Sequence, residues 1–177
     1  WNKKEIKSAQ PYLFKEVISK SIEVFKETDG AFDITVSPLM NYWFAQDWQT
    51  MSIDSNTVDS LMNWIGSDKI ILENGDYINP DQALVLDVNA IAQGYSVDVL
   101  ARYLEANGVF DYLVEIGGEV RASGTKSQGK KWSVGIAKPS SDNDDRELIL
   151  SIPLENRSLA TSGNYRKFFN NQKMDCS

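Results

Sequence analysis

The chain has 177 residues, of which 42% are hydrophobic and 24% charged, with a formal net charge of −7. This acidic balance excludes broad nucleic-acid binding, which needs a surplus of Lys and Arg to neutralise phosphates. Histidine is absent, which excludes a Ser-His-Asp triad, a Cys-His pair and a His-ligated zinc site, so any metal needs oxygen ligands such as suit magnesium or calcium. The first element in chain order is an amphipathic helix over residues 11 to 28. Its apolar positions are Leu13, Phe14, Val17, Ile18, Ile22 and Phe25, and Gly30 stands just past its end. AFDITVSPLMNYW follows, expected to be extended through Val36, with Pro38 forbidding a central strand. Asp54 or Ser55 caps a short helix through Trp64, stopped by Gly66. KIILE and the residues after Asn74-Gly75 read as a hairpin, because Asn-Gly suits a type I′ turn.

ALVLDV is a continuous apolar run, expected to be a strand buried on both faces. The next helix runs from about Ala90 to Ala106, with Ile91, Tyr95, Val99 and Tyr103 at intervals of four and Gly108 as its stop. YLVEI, EVRASG, KWSVGIAKP and LILSIPL are strands, and SLATSGNYRKFF closes the readable part. Strands outnumber helices and most neighbours read as antiparallel, so the fold class is α+β. The length accommodates one domain or two small ones. Lone Cys176 rules out an internal disulfide, and no apolar run is long enough to span a membrane.

Residues 86 to 124 carry the most chemistry. An apolar run ending in Asp87 is followed by small residues and a helix start, then by a strand and a Gly-Gly bend. Helix N-termini present free N–H groups and partial positive charge that suit a phosphate. A carboxylate beside that phosphate repels it unless a cation lies between, so the segment points to phosphate plus metal. Each residue also has a plainer reading. Asp87 either caps the next turn or fixes a ligand at the helix entrance. The small residues of Asn89-Ala90-Ile91-Ala92-Gln93-Gly94 either let a ligand approach the backbone or serve tight packing. Glu115, Gly117, Gly118 and Glu119 either bend a hairpin or line a site. Thr161-Ser162-Gly163-Asn164-Tyr165-Arg166 either grips a phosphate or a flavin edge, or turns the chain toward Phe168 and Phe169. No G-x-G-x-x-G fingerprint or P-loop is present.

Taken together, AFDITVSPLMNYW, LDVNAIAQGYSVD, YLVEIGGEVRASG, WSVGIAKP and SLATSGNYRKFF resemble the ApbE family, the FAD:protein FMN transferases. The blocks stand in the family's order from about residue 10 to residue 169. The resemblance implies an α+β fold with a T-fold-related core. It also implies magnesium-dependent cleavage of FAD that leaves FMN on a Thr or Ser hydroxyl of a partner protein and releases AMP. Partners in the family are subunits of sodium-pumping quinone reductases (Nqr), Rnf-type complexes and related redox proteins. On this resemblance Ala31, Phe32, Asp33, Asp87, Gln93, Glu119 and Gly163 contact the cofactor, and the Ala90 carbonyl binds magnesium. Gln93 stands where Lys is usual in the family, and Ser37 replaces a usual Gly before Pro38. Residues 1–177 are expected to be a partial domain, because the family continues past this point with a His-containing D-P-x-T-G motif and a later A-D-A-x-x-T segment. The base and most metal ligands are therefore expected beyond Ser177, leaving the fragment with little activity of its own. The start at Trp1 fits a processed or trimmed piece. By the same resemblance the protein is expected outside the cytoplasmic membrane, held by a lipid anchor preceding Trp1. Two rival functions remain at this stage, an FAD pyrophosphatase giving FMN and AMP and a non-catalytic FAD-binding module.

Overall fold

The computed structural model describes residues 11–45, 53–73, 76–78, 84–137 and 148–162. The chain forms two compact units, Trp1–Ala92 and Gln93–Ser177.

In the first unit α1 spans Tyr12–Glu27, α2 Ser37–Phe44 and α3 Ser55–Met62. Val17, Ile18 and Ser21 put one stripe of α1 into the interior, and the Ser21 hydroxyl is satisfied by donating to the Val17 carbonyl at 2.7 Å. Ile18, Ile34 and Ile70 form the buried core, with Phe14, Ile22, Phe32, Tyr77, Leu86 and Val88 packed around them. Asp54 is the N-cap of α3, its carboxylate accepting from the Asn56 N–H and the Thr57 hydroxyl. A small antiparallel hairpin of β1 (Ile71–Glu73) and β2 (Asp76–Ile78) pairs Glu73 with Asp76. That register leaves two residues for the connection, as the Asn74-Gly75 dipeptide predicts. The dipeptide itself lies outside the described residues.

Two expectations are corrected here. Residues 31–36 turn instead of extending, and Ser37 opens α2 with Pro38 in its first turn. Proline there has its φ already set and gives up an N–H that a helix start leaves unpaired anyway. Asp33 drives the turn by accepting from both the N–H and the hydroxyl of Thr35. Residues 84–88 likewise form no strand. Leu84 is 1% exposed but Val85 is 37% exposed, so the run has a buried and an open side. Asp87 N–H donates to the Ile34 carbonyl at 2.7 Å. The turning segment at 31–36 does not continue that bond into a ladder.

In the second unit the main part of α4 (Asn89–Ala106) buries Val97 and Ala101. β3 (Tyr112–Ile116), β4 (Glu119–Ser123) and β7 (Arg157–Leu159) form one antiparallel sheet in the order β3-β4-β7. β5 (Trp132–Ala137) and β6 (Leu148–Leu154) form a second sheet, also antiparallel. Val120, Ala122 and Leu154 form the buried core with Leu113, Trp132, Val134, Ile152 and Leu159 packed on it, so the two sheets share one interior. The Trp132 indole N–H donates to the Ser123 carbonyl at 2.9 Å, fastening β5 to the end of β4. β7 was not foreseen as a strand. At the other extreme, Leu148, Ile149 and Leu150 at the start of β6 are all more than half exposed.

Candidate functional site

In the first unit the A-F-D stretch is organised around Asp33. Its Oδ1 accepts from Thr35 N–H (2.8 Å), the Thr35 hydroxyl (2.7 Å) and the Ser67 hydroxyl (2.7 Å), and Oδ2 accepts from Ser67 N–H at 3.2 Å. The Thr35 hydroxyl accepts in turn from Gly66 N–H at 2.7 Å. Thr35 and Ser67 are fully buried. A carboxylate has about four acceptor sites, so Asp33 is fully engaged in tying the 31–37 turn to the 66–69 turn. Phe32 packs on the core beside it, and Ala31 is exposed.

Asp87 Oδ1 accepts from Asn89 N–H at 2.8 Å, which caps the entrance to α4. The Val88 carbonyl accepts from Ile91 and Ala92 N–H and begins the helical ladder. Ala90 lies exposed in the first turn of α4. Asp87 and Ala90 are the oxygen-bearing residues that the sequence motif singles out here. Magnesium prefers about six oxygens, and the described residues hold no group of three acids able to bind a metal. They do not by themselves make a magnesium site.

In the second unit Gln93, Glu119 and Thr161 gather at the β3–β4 turn. Gly117 and Gly118 form that turn with φ of +61° and +102°, a conformation that side chains strongly disfavour. A Cβ at Gly117 would collide with Gln93 Nε2, and Glu119 Oε2 lies 3.7 Å from that same point. A Cβ at Gly118 would sit 4.0 Å from Thr161 Oγ1. Glu119 Oε2 is buried and is the one buried side-chain polar atom among the described residues with no hydrogen-bond partner. Gly163 lies outside the described residues.

A second polar group braces α4 against this hairpin. Arg121 on β4 donates to Asp98 Oδ1 at 2.8 Å and to Glu105 Oε1 at 3.2 Å, while the Tyr112 hydroxyl donates to the same Glu105 oxygen at 2.5 Å. Burial, then the Glu105 carboxylate, push the Tyr112 phenol above its ordinary pKa, partly opposed by Arg121. Sequence reasoning missed this brace and the Thr35–Ser67 knot. The signals were there in part: Arg121 is a cation inside an otherwise small and apolar strand, and Asp33-x-Thr35 is a side-chain turn pattern.

The fold is that of flavin transferases of known structure. The flavin transferase ApbE of Vibrio cholerae aligns with a TM-score of 0.70 at 31% identity, covering 90% of this chain and 52% of that one. The apo flavinyl transferase ApbE of Pseudomonas stutzeri aligns with a TM-score of 0.71 at 31% identity, over 92% of this chain and 49% of that one. The ApbE family's sequence model matches residues 2–176, and the chain belongs to the ApbE family. A curated relative, the FAD:protein FMN transferase of Haemophilus influenzae, is 37% identical over 164 residues, which is 88% of this chain and 46% of the relative. The chain thus spans about half the length of the curated relatives it matches.

Proposed function

We propose that this chain is the part of an FAD:protein FMN transferase that engages FAD. The observation that carries the reading is the 37% identity to the Haemophilus enzyme across 88% of this chain. It is supported by a β3–β4 turn of two glycines at which Gln93, Glu119 and Thr161 gather, the Gln93 amide lying over Gly117. Ala31, Phe32, Asp33, Asp87, Gln93, Glu119 and Gly163 are proposed to serve the nucleotide, with Asp33 acting by holding the shape of its turn.

In the proposed reaction the Thr or Ser hydroxyl of an acceptor protein attacks the phosphorus on the FMN side of the pyrophosphate. A new P–O bond forms, the bridging P–O bond breaks, AMP leaves with the electron pair, and the hydroxyl proton passes to a base. Gln93 donates neutral hydrogen bonds and Asp87 keeps the helix entrance in register, so substrate groups meet a fixed frame. The absence of histidine means that a His base would have to come from outside these residues, and the 177 residues alone are expected to turn over little. We further propose magnesium dependence, the ion supplying charge neutralisation at the pyrophosphate. Its ligands would be Ala90 and groups beyond the described residues. The acceptors are proposed to be subunits of Nqr-, Rnf-type or related redox complexes. The location is proposed to be outside the cytoplasmic membrane through a lipid anchor, which membrane fractionation of the native protein tests.

Incubating the native full-length protein with FAD, magnesium and a Thr-containing acceptor domain tests the reaction. Covalent FMN on the acceptor with equimolar AMP supports the transferase. FMN released free, at the same rate without acceptor, would instead make it a pyrophosphatase. FAD bound but never cleaved would leave a binding module.

A further inference from the structure

We infer that Glu119 Oε2 is the acceptor for a neutral hydrogen-bond donor of the bound nucleotide, a hydroxyl or ring N–H on one of its nucleoside halves, and meets neither phosphate nor metal. This rests on the proposed flavin reading and says which chemistry of the ligand this turn recognises. Buried polar atoms are almost always hydrogen-bonded, so an isolated exception marks a partner that is absent or a functional demand. Glu119 Oε2 is such an exception. It lies 3.7 Å from the point where a Cβ on Gly117 would stand, and the Gln93 amide nitrogen fills the space beside that point.

The surroundings select the class of partner. A carboxylate does not suit a phosphate, and among the described residues at this turn neither Gln93 nor Thr161 brings positive charge. A divalent ion needs about six oxygens, whereas the nearby groups are a single carboxylate, an amide and the Thr161 hydroxyl, and no cluster of three acids occurs among the described residues. A hydroxyl or N–H supplies the missing hydrogen without adding charge. Gln93 carries both a donor and an acceptor and is equipped to complete the recognition of such a group. Riboflavin and adenosine both carry donors of this kind, so the two halves of FAD are separated by experiment.

The test uses the flavin-free protein, its Glu119→Met variant and its Glu119→Gln variant, each titrated with FAD, riboflavin, adenosine, inorganic pyrophosphate and magnesium chloride. Losing a buried charge-assisted hydrogen bond weakens binding about tenfold or more. E119M is therefore expected to lose that much affinity for FAD and for one of the two nucleosides, with pyrophosphate unchanged. Because it deletes an unsatisfied buried oxygen, E119M is also expected to melt no lower than the parent without ligand. A residue needed only for structure would not behave so. E119Q, which keeps the shape, is expected to fall between the two and gives the answer if the Met variant does not fold.

Loss of pyrophosphate binding with both nucleosides unaffected overturns the inference. So does a magnesium-induced melting shift in the parent that E119M lacks. A parent that binds FAD and an E119M variant that binds it equally well refutes the inference alone, whereas a parent that binds no FAD removes the flavin reading beneath it.

Discussion

Ser67 donates its hydroxyl to Asp33 at 2.7 Å across 34 residues of sequence, and its N–H goes to the other oxygen of the same carboxylate. A family-characteristic acid is thereby the knot of its own unit, with buried Thr35 as the intermediate strand of the tie. Residues near a ligand are held in place by such contacts before any ligand arrives.

Removing the acceptor leaves the Thr35 and Ser67 hydroxyls without the group they donate to. Asp33→Ala is expected to cost about 2–4 kcal/mol and Ser67→Ala about 1–2 kcal/mol in urea unfolding. The double variant should lose less than the sum, because both changes break the same bonds. Additive losses would show that the two residues act independently.

The β3–β4 turn makes a second demand. Gly117→Ala adds left-handed strain and drives Gln93 out of its place, so it is expected to cost about 2–3 kcal/mol, against about 1–2 kcal/mol for Gly118→Ala, where strain acts without a collision. Equal losses would mean that the Gln93 contact does not matter. Flavin affinity measured in parallel should fall further for G117A.

Tyr112 gives the second unit an alkaline signature. Its folded pKa is raised by burial and by Glu105, so the folded state holds the proton more tightly than the unfolded chain does. The resulting stability is complete below the unfolded tyrosine value of about 10 and is lost as pH rises through the higher folded value. The melting temperature of the parent should therefore fall more steeply above that point than that of Tyr112→Phe. The variant should also be about 1 kcal/mol less stable at neutral pH, for want of the Glu105 bond. Parallel curves would remove Tyr112 as the cause.

Asp54 works at the opposite end of the scale. The Thr57 hydroxyl first, with the backbone N–H groups of Asn56 and Thr57, holds its pKa below the ordinary carboxylate value. Its contribution is present above the unfolded value of about 3.9 and disappears as pH falls through the lower folded one. Helicity from α3 should fray on acidification in the parent. Asp54→Asn keeps a cap without a titrating group and should show no such step, while Asp54→Ala should be frayed at every pH.

Much of this architecture was legible because it is local. The 3.6-residue period gave α1 and α4, and Asp54 announced its cap. Asn74-Gly75 and Gly117-Gly118 each predicted a hairpin whose flanking strands pair as expected. The failures were tertiary. ALVLDV has the composition of a central strand, yet residues 84–88 are not a strand, and the 31–36 segment that Asp87 bonds to turns on Asp33. β7 is three residues long and gains its character only from pairing with β4. At the site, motif resemblance picked out Gln93 and Glu119 as ligand contacts. Resemblance could not say that Asp33 would be tied up by its own chain while Glu119 kept an oxygen unanswered, because the first depends on Ser67, 34 residues away in sequence.

The opening of β6 has a practical consequence. Leu148, Ile149 and Leu150 are 59%, 62% and 54% exposed, and successive residues of a strand face opposite ways, so both sides of the β5–β6 ribbon are greasy. A ribbon of this kind, with one ladder partner among the described residues, is expected to promote association at high concentration. Ile149→Lys is therefore expected to lower light scattering of concentrated protein relative to the parent.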